Sequence, residues 1–441
     1  MDRAHDIASE LLHELNDDSH YNTEDLLPCG TEIIHDFRNI VHGIFHRMAS
    51  TDGSSLSKLD ALIDGAYQQL SSSKTPVLCW RRLYTDACIW RTLAEFLPPH
   101  TEVPSSIALT CVARLDRAII VAGACGQGRL ELIHELISLI QVISLGLGPS
   151  SPNFSAQEHD LVPKSEIAFP QTYRRTVPRL ETPPPFASFV SKYSKGPFII
   201  PAYIEDWPAM NEHPWKSMEY LRSLGGPGRI VPVEVGADYR RDDWTQEMMG
   251  WDDFLSSMTT PDGPNGERKP VLYLAQHNLF SQFPALREDV IIPDYVYAPL
   301  PPPETYPMYV PPGNREQLVV NAWLGPKGTI SPAHIDPFYN FFAQVVGRKS
   351  VWLAPPTVSP NMYPIPPPAS QASNGVSPSL GNTSRVDVFS NYQEEFPLFQ
   401  QYVAPEAMFA VLEPGDLLFF PPRWWHAMRS EDTSFSVTMW F

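Results

Sequence analysis

A histidine and an aspartate lie two residues apart, at His334 and Asp336, in the stretch SPAHIDPFYNFFAQVVGRK. In an extended strand, side chains two residues apart point to the same face, so both could bind one metal ion. A third candidate ligand, His426, follows the apolar run of LEPGDLLFFPPRWWHAM. Two imidazoles and one carboxylate on one side of a metal leave coordination positions open, which suits non-haem Fe(II) oxygen chemistry. We therefore predict a metal site, provided that a later antiparallel strand brings His426 beside His334.

The H-x-[DE] pattern alone is weak evidence because it is expected by chance in a chain with this many histidines and acidic residues. It occurs a second time at residues 100–102, beside LPPH in a helical region, where nothing around it indicates chemistry. His426 has its own alternative interpretation, as a core histidine packed among neighbouring aromatic residues such as Trp425. Whether these residues form a metal site therefore depends on what surrounds His334.

Two polar residues downstream of His334 favour a binding site. Lys349 follows the pair Gly347-Arg348, which we expect to form a hairpin turn whose returning strand begins at Lys349. Its ammonium group could then enter the barrel and pair with the distal carboxylate of a dicarboxylate ligand. Asn340 has the parity to face the same interior. The alternative for Lys349 is an ordinary solvated lysine in a turn.

Composition and charge restrict the class of protein. The chain has 441 residues, 43% hydrophobic and 19% charged, which fits two or three globular domains. The net charge of -18 argues against a broad nucleic-acid-binding face and is compatible with basic protein or peptide substrates. The five cysteines have no C-x-x-C spacing, which indicates free thiols in a reducing compartment, the nucleus or the cytoplasm. No signal peptide or membrane span is expected.

The pattern of apolar residues divides the chain into a helical region at residues 1–147, a Pro/Ser-rich linker at 148–177 and a β-rich region at 178–441. In GRLELIHELISLIQVI, apolar residues recur at three- and four-residue steps and predict one helix face. These residues are Leu132, Leu136, Leu139, Ile140 and Ile143. After residue 178, short apolar runs such as QLVVNAWLG and SFSVTMWF are separated by Gly, Pro and Asn, which is typical of a sandwich or barrel. Two proline-rich tracts, residues 298–314 and 359–382, are predicted to be surface insertions.

Two long stretches, NAWLGPKGTISPAHIDPFYNFFAQVVGRKSVWLAPP and LEPGDLLFFPPRWWHAMRSEDTSFSVTMWF, resemble the Jumonji-C (JmjC) domain of the 2-oxoglutarate oxygenase superfamily. With RIVPVEVGADY and YLAQHNLFSQFPAL upstream, the chain is similar to the lysine-specific demethylase 8 subgroup, also described as bifunctional peptidase and arginyl-hydroxylase. The resemblance implies an α+β multi-domain protein. An N-terminal α-helical region would precede a double-stranded β-helix, the cupin-like jelly-roll barrel of a JmjC catalytic domain.

The same resemblance implies a role for each of eleven residues. Fe(II) would be bound by His334, Asp336 and His426, with no catalytic residue beyond these ligands. The residues that would bind 2-oxoglutarate or line its pocket are Tyr273, Ser331, Asn340, Lys349 and Trp440. Glu234 and Trp323 would receive an arginine side chain of the substrate, with Trp244 as a further aromatic wall. A carboxylate and indole faces do satisfy a guanidinium group.

We therefore expect an Fe(II)- and 2-oxoglutarate-dependent dioxygenase that uses dioxygen to hydroxylate a protein side chain, with arginine preferred. The same chemistry would remove an N-methyl group from a histone lysine. A peptidase role lacks a dedicated nucleophile or water-activating base. Two alternatives from other classes are a cupin-type zinc hydrolase or isomerase, which has no use for Lys349 and Tyr273, and a catalytically inactive scaffold. The expected partner is a protein or peptide with a basic side chain, without nucleic acid or membrane, and the helical region is a candidate for protein binding.

Overall fold

The computed structural model describes residues 2–46, 53–72, 78–97, 103–147, 175–236, 238–241, 243–259, 270–366, 380–390 and 395–441. Most of the predicted linker, part of the second proline-rich insertion and the second H-x-[DE] match lie outside these residues. The five cysteines lie within them and are free thiols, as predicted. Among the helices in these ranges, none combines the length and the apolar character that crossing a membrane requires.

The N-terminal region is a bundle of α-helices whose apolar faces share one core. The helices are α1 (Asp2–Asn16), α2 (Tyr21–Glu24), α3 (Thr31–His46), α4 (Gly53–Ser72), α5 (Leu78–Phe96), α6 (Ser105–Ala122) and α7 (Arg129–Ser144). On α7, Leu136 and Ile140 are buried as predicted, whereas Ile143, in the last turn, is 46% exposed. The residues Leu132 and Leu139 pack against the core while partly buried.

Helix α5 is the centre of the bundle, since nearly all of its side chains are buried, charged ones included. Arg82 pairs with Asp86 at 2.5 Å, and Asp86 also accepts a hydrogen bond from Arg129 of α7 at 2.8 Å. Arg129 in turn binds Glu14 of α1 at 2.7 Å. Because a buried charge is tolerated only when it is paired, this chain of ion pairs fixes the relative positions of three helices.

The strands in the rest of the described residues form two β-sheets. The strands are β1 (Arg175–Thr176), β2 (Phe198–Ile200), β3 (Ile230–Val235), β4 (Thr245–Gly250), β5 (Leu272–His277), β6 (Val319–Gly325), β7 (Ile330–Ile335), β8 (Asn340–Val346), β9 (Lys349–Ala354), β10 (Met408–Leu412), β11 (Leu417–Phe420), β12 (Trp425–Ser430) and β13 (Ser434–Trp440). One sheet has the order β1-β10-β9-β12-β7 and the other has the order β2-β11-β8-β13-β6-β5-β3-β4. All pairs are antiparallel except β1 with β10.

The chain moves repeatedly from one sheet to the other as it passes from β7 to β13. This winding is that of a double-stranded β-helix, in which apolar side chains from both sheets meet inside the barrel. The predicted architecture, a helical region followed by a cupin-like barrel, is therefore confirmed.

The predicted hairpin around Gly347 is wrong. Lys349 does begin a strand, β9, but β8 and β9 lie in different sheets and do not pair. Gly347 makes this crossing possible, because its backbone has φ +67° and a Cβ atom there would lie 2.1 Å from the carbonyl oxygen of Thr433. Any other residue would meet both the strained φ and this close approach.

Short helices in the barrel region were not expected from the sequence. They are α8 (Phe186–Ser191), α9 (Met218–Gly225), α10 (Trp251–Thr259), α11 (Leu279–Gln282) and α12 (Pro284–Glu288). Their buried side chains, such as Phe189, Leu221 and Phe254, belong to the same core as the outer face of the eight-stranded sheet. On β8, Phe341 lies in this core, whereas the adjacent Phe342 packs in the barrel interior with residues of the other sheet. These helices therefore cover the outside of the barrel.

A buried polar network joins the helical region to the barrel. Asp116 of α6 is fully buried and accepts hydrogen bonds from Arg229, from the backbone N–H of Ile230 at 2.8 Å and from Gln282 at 2.9 Å. Gln141 of α7 donates to the carbonyl oxygens of residues 225 and 227, both at 2.9 Å. Because Ile230 begins β3, the helical region holds one end of a strand of the barrel.

Candidate metal centre

The three predicted metal ligands lie together at one end of the five-stranded sheet. His334 of β7 and His426 of β12 are direct register partners on adjacent antiparallel strands. Asp336 follows β7 by one residue, and its Oδ2 atom is 3.8 Å from His334 Nε2 and 3.4 Å from His426 Nε2. One ligating atom of each residue lies within 4.8 Å of the other two. This geometry allows all three side chains to bind a single ion from one side.

Backbone carbonyl groups orient both imidazole rings. His334 Nδ1 is 2.7 Å from the oxygen of Pro332, and His426 Nδ1 is 3.0 Å from the oxygen of Trp424. When Nδ1 carries the proton and donates it to a carbonyl, Nε2 is left with a lone pair directed at the centre, as in most protein metal sites. The Asp336 carbonyl also accepts a hydrogen bond from the backbone N–H of Arg423 at 2.7 Å. This bond ties the end of β7 to the residues that precede β12.

The electrostatics of the cluster favour metal-binding protonation states. Burial, with a smaller contribution from the neighbouring His426, lowers the pKa of His334 to about 4. Burial acts to raise the pKa of Asp336, but His334 and His426 outweigh it, so its pKa lies below the ordinary value. A neutral imidazole and an ionised carboxylate are the forms that bind a cation.

Beside the cluster lies an inner cavity. All five residues predicted for 2-oxoglutarate line it, namely Tyr273, Ser331, Asn340, Lys349 and Trp440. Lys349 is only 1% exposed, and its Nζ atom donates to the Tyr273 hydroxyl at 3.2 Å. No carboxylate pairs with Lys349 in the described parts of the chain, and burial lowers its pKa to about 7. The cavity thus holds a buried amine without a counter-ion.

Other polar atoms around this amine also lack partners. Asn340 Oδ1 and Trp440 Nε1 are buried and make no hydrogen bond within the described structure. The Ser331 hydroxyl is hydrogen-bonded to Tyr273, and burial raises the pKa of Tyr273, which keeps its O–H as a donor. Native proteins satisfy most buried polar groups, so a cluster of unsatisfied ones indicates a ligand. A cation with several neutral polar groups fits a small dicarboxylate.

A second, outer cavity of about 230 Å³ adjoins the predicted metal ligands. Glu234 and Trp323, two of the residues predicted to receive the substrate, line it, and Trp323 also reaches the inner cavity. Trp244 lines neither of the two cavities, but its Nε1–H donates to Glu234 at 3.3 Å. Burial raises the pKa of Glu234 to about 7, and no Lys or Arg side chain pairs with it in the described residues. The outer cavity therefore presents an acidic group without a counter-ion.

Four further polar residues of the outer cavity were missed in the sequence, namely Tyr239, Gln276, Asn382 and Thr383. Tyr239 had a usable signal, because it lies five residues after Glu234 in the polar turn GADYRRDD. Gln276 has a φ of +48°, which no local pattern predicts. The other two belong to the end of the second proline-rich insertion, which returns to β7 and pairs at His334. The first insertion contributes to neither cavity; there, Tyr309 binds the carbonyl oxygen of Phe441.

A barrel of two sheets with two histidines and a carboxylate near one end is the architecture of the cupin-like proteins. Residues 186–441 match the family model described as a cupin-like domain. The chain is 35% identical to lysine-specific demethylase 8 of Danio rerio over 367 residues, covering 82% of this chain and 81% of that protein. It is 33% identical to Jumonji C domain-containing protein 5 of Drosophila melanogaster over 386 residues, covering 86% and 85%.

Similarity to a plant protein is confined to a shorter part of both chains. Lysine-specific demethylase JMJ30 of Arabidopsis thaliana is 37% identical over 245 residues, covering 56% of this chain and 49% of that protein. Taken together, the matches show that the chain belongs to the JmjC family of cupin-like oxygenases. It is therefore an enzyme of the 2-oxoglutarate-dependent oxygenase class, a class that uses Fe(II) in general.

Proposed function

We propose that this enzyme uses Fe(II), 2-oxoglutarate and dioxygen to hydroxylate an arginine side chain of a protein substrate. One observation carries the proposal. Two adjoining cavities each contain an ionisable group without a counter-ion in the described residues, the buried amine of Lys349 in the inner one and the half-buried carboxyl group of Glu234 in the outer one. A dicarboxylate co-substrate would neutralise the first and a cationic substrate side chain the second. His334 and Asp336 line both cavities, so the two ligands would meet at the metal.

When bound, Fe(II) with 2-oxoglutarate and dioxygen supplies the oxidant that inserts one oxygen atom into a substrate C–H bond, with succinate and carbon dioxide as co-products. The donor set fits Fe(II), because a His-Asp-His cluster on one side leaves coordination positions open. In this proposal His334, Asp336 and His426 hold the metal. The protein contributes binding, orientation and exclusion of water.

Each residue of the inner cavity has a role in holding the co-substrate. Lys349 and the Tyr273 hydroxyl would bind the distal carboxylate through charge-assisted hydrogen bonds. Ser331, Asn340 and Trp440 would supply the remaining polar contacts, since two of them have buried atoms without partners. Phe342 and Met428 line the same cavity and keep bulk water away from it.

The outer cavity would hold the arginine. Glu234 would accept hydrogen bonds from the guanidinium group. The planar cation would stack on the indole face of Trp323. Trp244 would act indirectly, because its N–H fixes one oxygen of the Glu234 carboxylate. Binding the guanidinium would return Glu234 to the ionised state, since a neighbouring positive charge lowers a carboxyl pKa.

Removal of a methyl group from a histone N-methyl-lysine is the second candidate, favoured by the names of the relatives from Danio rerio and Arabidopsis thaliana. Hydroxylation of an N-methyl carbon gives a hemiaminal that releases formaldehyde, so the same site serves both reactions. A zinc hydrolase is less well supported, because it would leave Lys349 and Asn340 without a ligand. An inactive scaffold is disfavoured by the intact metal cluster.

We further propose residues 178–441 as the catalytic domain, supported by the family match at 186–441. The helical region at 1–147 would brace the barrel and bind protein partners, and the nucleus or cytoplasm would be the compartment. The net charge of -18 supports attraction of basic protein substrates.

The test is mass spectrometry of arginine and methyl-lysine peptides incubated with the enzyme, Fe(II), ascorbate and 2-oxoglutarate. The proposal expects one added oxygen on an arginine peptide, with succinate formed. His334→Ala should abolish both, whereas His35→Ala, which alters an exposed histidine of α3, should preserve them.

Each other outcome leads to a different conclusion. Loss of a methyl group with release of formaldehyde would replace arginine hydroxylation by lysine demethylation. Succinate formation without a modified peptide would support the oxygenase activity but would show that the peptides tested are not its substrates. If His334→Ala matched the unaltered enzyme, the metal assignment would be wrong.

A further inference from the structure

The end of the second proline-rich insertion forms a wall of the outer cavity. Residues 382–386, which we name the return segment, lie against the metal-bearing strand β7. The backbone N–H of Ser384 donates to the carbonyl oxygen of Ala333 at 2.7 Å, and Asn382 Nδ2 donates to that of Ile335 at 3.2 Å. Thr383 pairs with His334 in an isolated antiparallel bridge. Asn382 and Thr383 thereby face the cavity.

The loop between β3 and β4 holds the return segment from the opposite side. Arg240 Nη1 lies close to three successive carbonyl oxygens of the return segment, those of residues 384, 385 and 386, at 3.3, 3.5 and 3.1 Å. Tyr239 places its hydroxyl 3.3 Å from the Thr383 hydroxyl. The loop therefore contacts both the backbone and a cavity-facing side chain of the segment.

Asp238 fixes the guanidinium group in this position. Its carboxylate accepts from Arg240 Nε at 3.0 Å and from Nη2 at 2.5 Å, and both side chains are largely buried. Arginine can do this because its planar group carries five donors, so one edge binds the carboxylate while another nitrogen remains for carbonyl oxygens. A lysine ammonium group lacks this planar set of donors, so it cannot bind a carboxylate along one edge and carbonyl oxygens with another nitrogen.

We propose that Arg240 is a positioning residue that determines which peptides the enzyme accepts, by fixing the return segment as a wall of the outer cavity. The inference rests on the proposed function insofar as the outer cavity binds a peptide. Arg240 lines neither cavity, so it acts through Asn382 and Thr383. The segment begins at the last residue of the tract 359–382, which the sequence marks as an insertion. Its Val386 is buried in a core that also contains Trp352 and Trp425 of the barrel strands, so the wall is anchored to the barrel at this end.

The experiment compares Arg240→Gln and Arg240→Lys with Arg241→Gln in the full-length protein. Arg241 is the matched control, because it is the next residue, is exposed and pairs with the exposed Asp243. Peptide KM, peptide kcat and the succinate formed without peptide are measured for each variant. Hydrogen exchange of the backbone amides of residues 382–386 is followed by mass spectrometry.

We expect Arg240→Gln to raise peptide KM about tenfold, as for loss of one charge-assisted hydrogen bond, with kcat within about twofold. Succinate formation without peptide and the 2-oxoglutarate KM should not change. Exchange of residues 382–386 should accelerate while that of β7 stays slow. Arg240→Lys should rescue only part of the effect, and Arg241→Gln should behave as the unaltered enzyme.

Two results would overturn the inference. One is unchanged exchange of the return segment in Arg240→Gln, which would show that Arg240 does not hold it. The other is an equal loss of succinate formation with and without peptide, which would indicate damage to the whole barrel. If the unaltered enzyme modified no arginine peptide, the proposed function would fail, and the exchange data would still decide the role of Arg240.

Discussion

Two buried charges in this molecule have opposite surroundings. Asp116, at the junction of the helical region and the barrel, receives hydrogen bonds from Arg229, from Gln282 and from a backbone N–H. Lys349, inside the barrel, has the Tyr273 hydroxyl as its one hydrogen-bond partner within the described residues. Both side chains are at most 1% exposed, so burial alone does not separate them.

The difference separates a structural charge from a binding one. A buried charge that is fully paired holds two elements in one arrangement, and removing one partner is costly. A buried charge with missing partners costs stability in the free protein and becomes favourable only when a ligand supplies the partners. The Asp116 network therefore holds the helical region against the barrel, and the surroundings of Lys349 are those expected of a binding site.

The largest effect is expected for Asp116→Ala, which leaves Arg229 buried without its carboxylate. Loss of one member of a buried ion pair should lower the free energy of unfolding by about 3–5 kcal/mol. Denaturant-induced unfolding measures this, with Asp64→Ala, an exposed residue of α4, as the control. If the two variants were equally stable, the paired charge of Asp116 would not be needed to stabilise the fold.

Lys349→Met should change stability in the opposite direction. Methionine keeps a long unbranched side chain but removes the unpaired amine, so the protein without ligands should unfold at a higher temperature. Affinity for 2-oxoglutarate should fall roughly 10- to 100-fold, as for loss of a charge-assisted hydrogen bond. Calorimetric titration and thermal unfolding test the two effects, with the exposed Lys216→Met as the control. A destabilised variant would mean that Lys349 already has its partners.

Glu234→Gln extends the comparison to the outer cavity. The amide keeps the shape but loses the charge that would pair with a guanidinium, so KM for an arginine peptide should rise about tenfold. The KM for 2-oxoglutarate should not change. Steady-state assays compare it with Glu247→Gln, which alters an exposed residue of the neighbouring strand β4. An equal rise of peptide KM in both variants would mean that the negative charge of the surface in general, and not Glu234 in particular, attracts the peptide.

The smallest effect concerns pH. Burial lowers the pKa of Lys349 from 10.5 to about 7, so its charged form destabilises the folded protein fully below about pH 7. Between about pH 7 and 10.5 the unfolded chain binds a proton that the folded one does not, so the cost declines as pH rises. The stability advantage of Lys349→Met should narrow by at most about 1.4 kcal/mol per pH unit. Denaturant unfolding at several pH values measures this, and a constant advantage would contradict the lowered pKa.

The sequence predicts best where chemistry restricts the residue type. Metal binding admits few side chains, so His334, Asp336 and His426 could be selected before any strand was placed, and the structure brings them together. The absence of C-x-x-C spacing likewise predicted free thiols, and the five cysteines are free. The roles of the co-substrate and substrate residues stay predictions, although all but Trp244 line a cavity.

The sequence predicts less where several distant segments decide the outcome together. The run FFAQVVGRKSVWL has the local signals of a hairpin, yet pairing with β11 and β13 draws β8 into one sheet and pairing with β10 and β12 draws β9 into the other. Strand pairing is a tertiary choice that local propensity does not encode. The same applies to Thr383, which reaches the cavity only because a long insertion returns to β7.

The position of β13 between β8 and β6 also affects how the protein is synthesised. At typical translation rates, roughly 10 to 50 s separate the emergence of β2 from that of β13. The helical region can fold early in this interval, whereas the eight-stranded sheet lacks an internal strand until residue 440 has left the ribosome. During that time the unpaired edges of β8 and β6 are open to other nascent chains. His334 gains its partner His426 only at the end of the interval, so a metal ion held by both residues would bind only after the barrel has been translated.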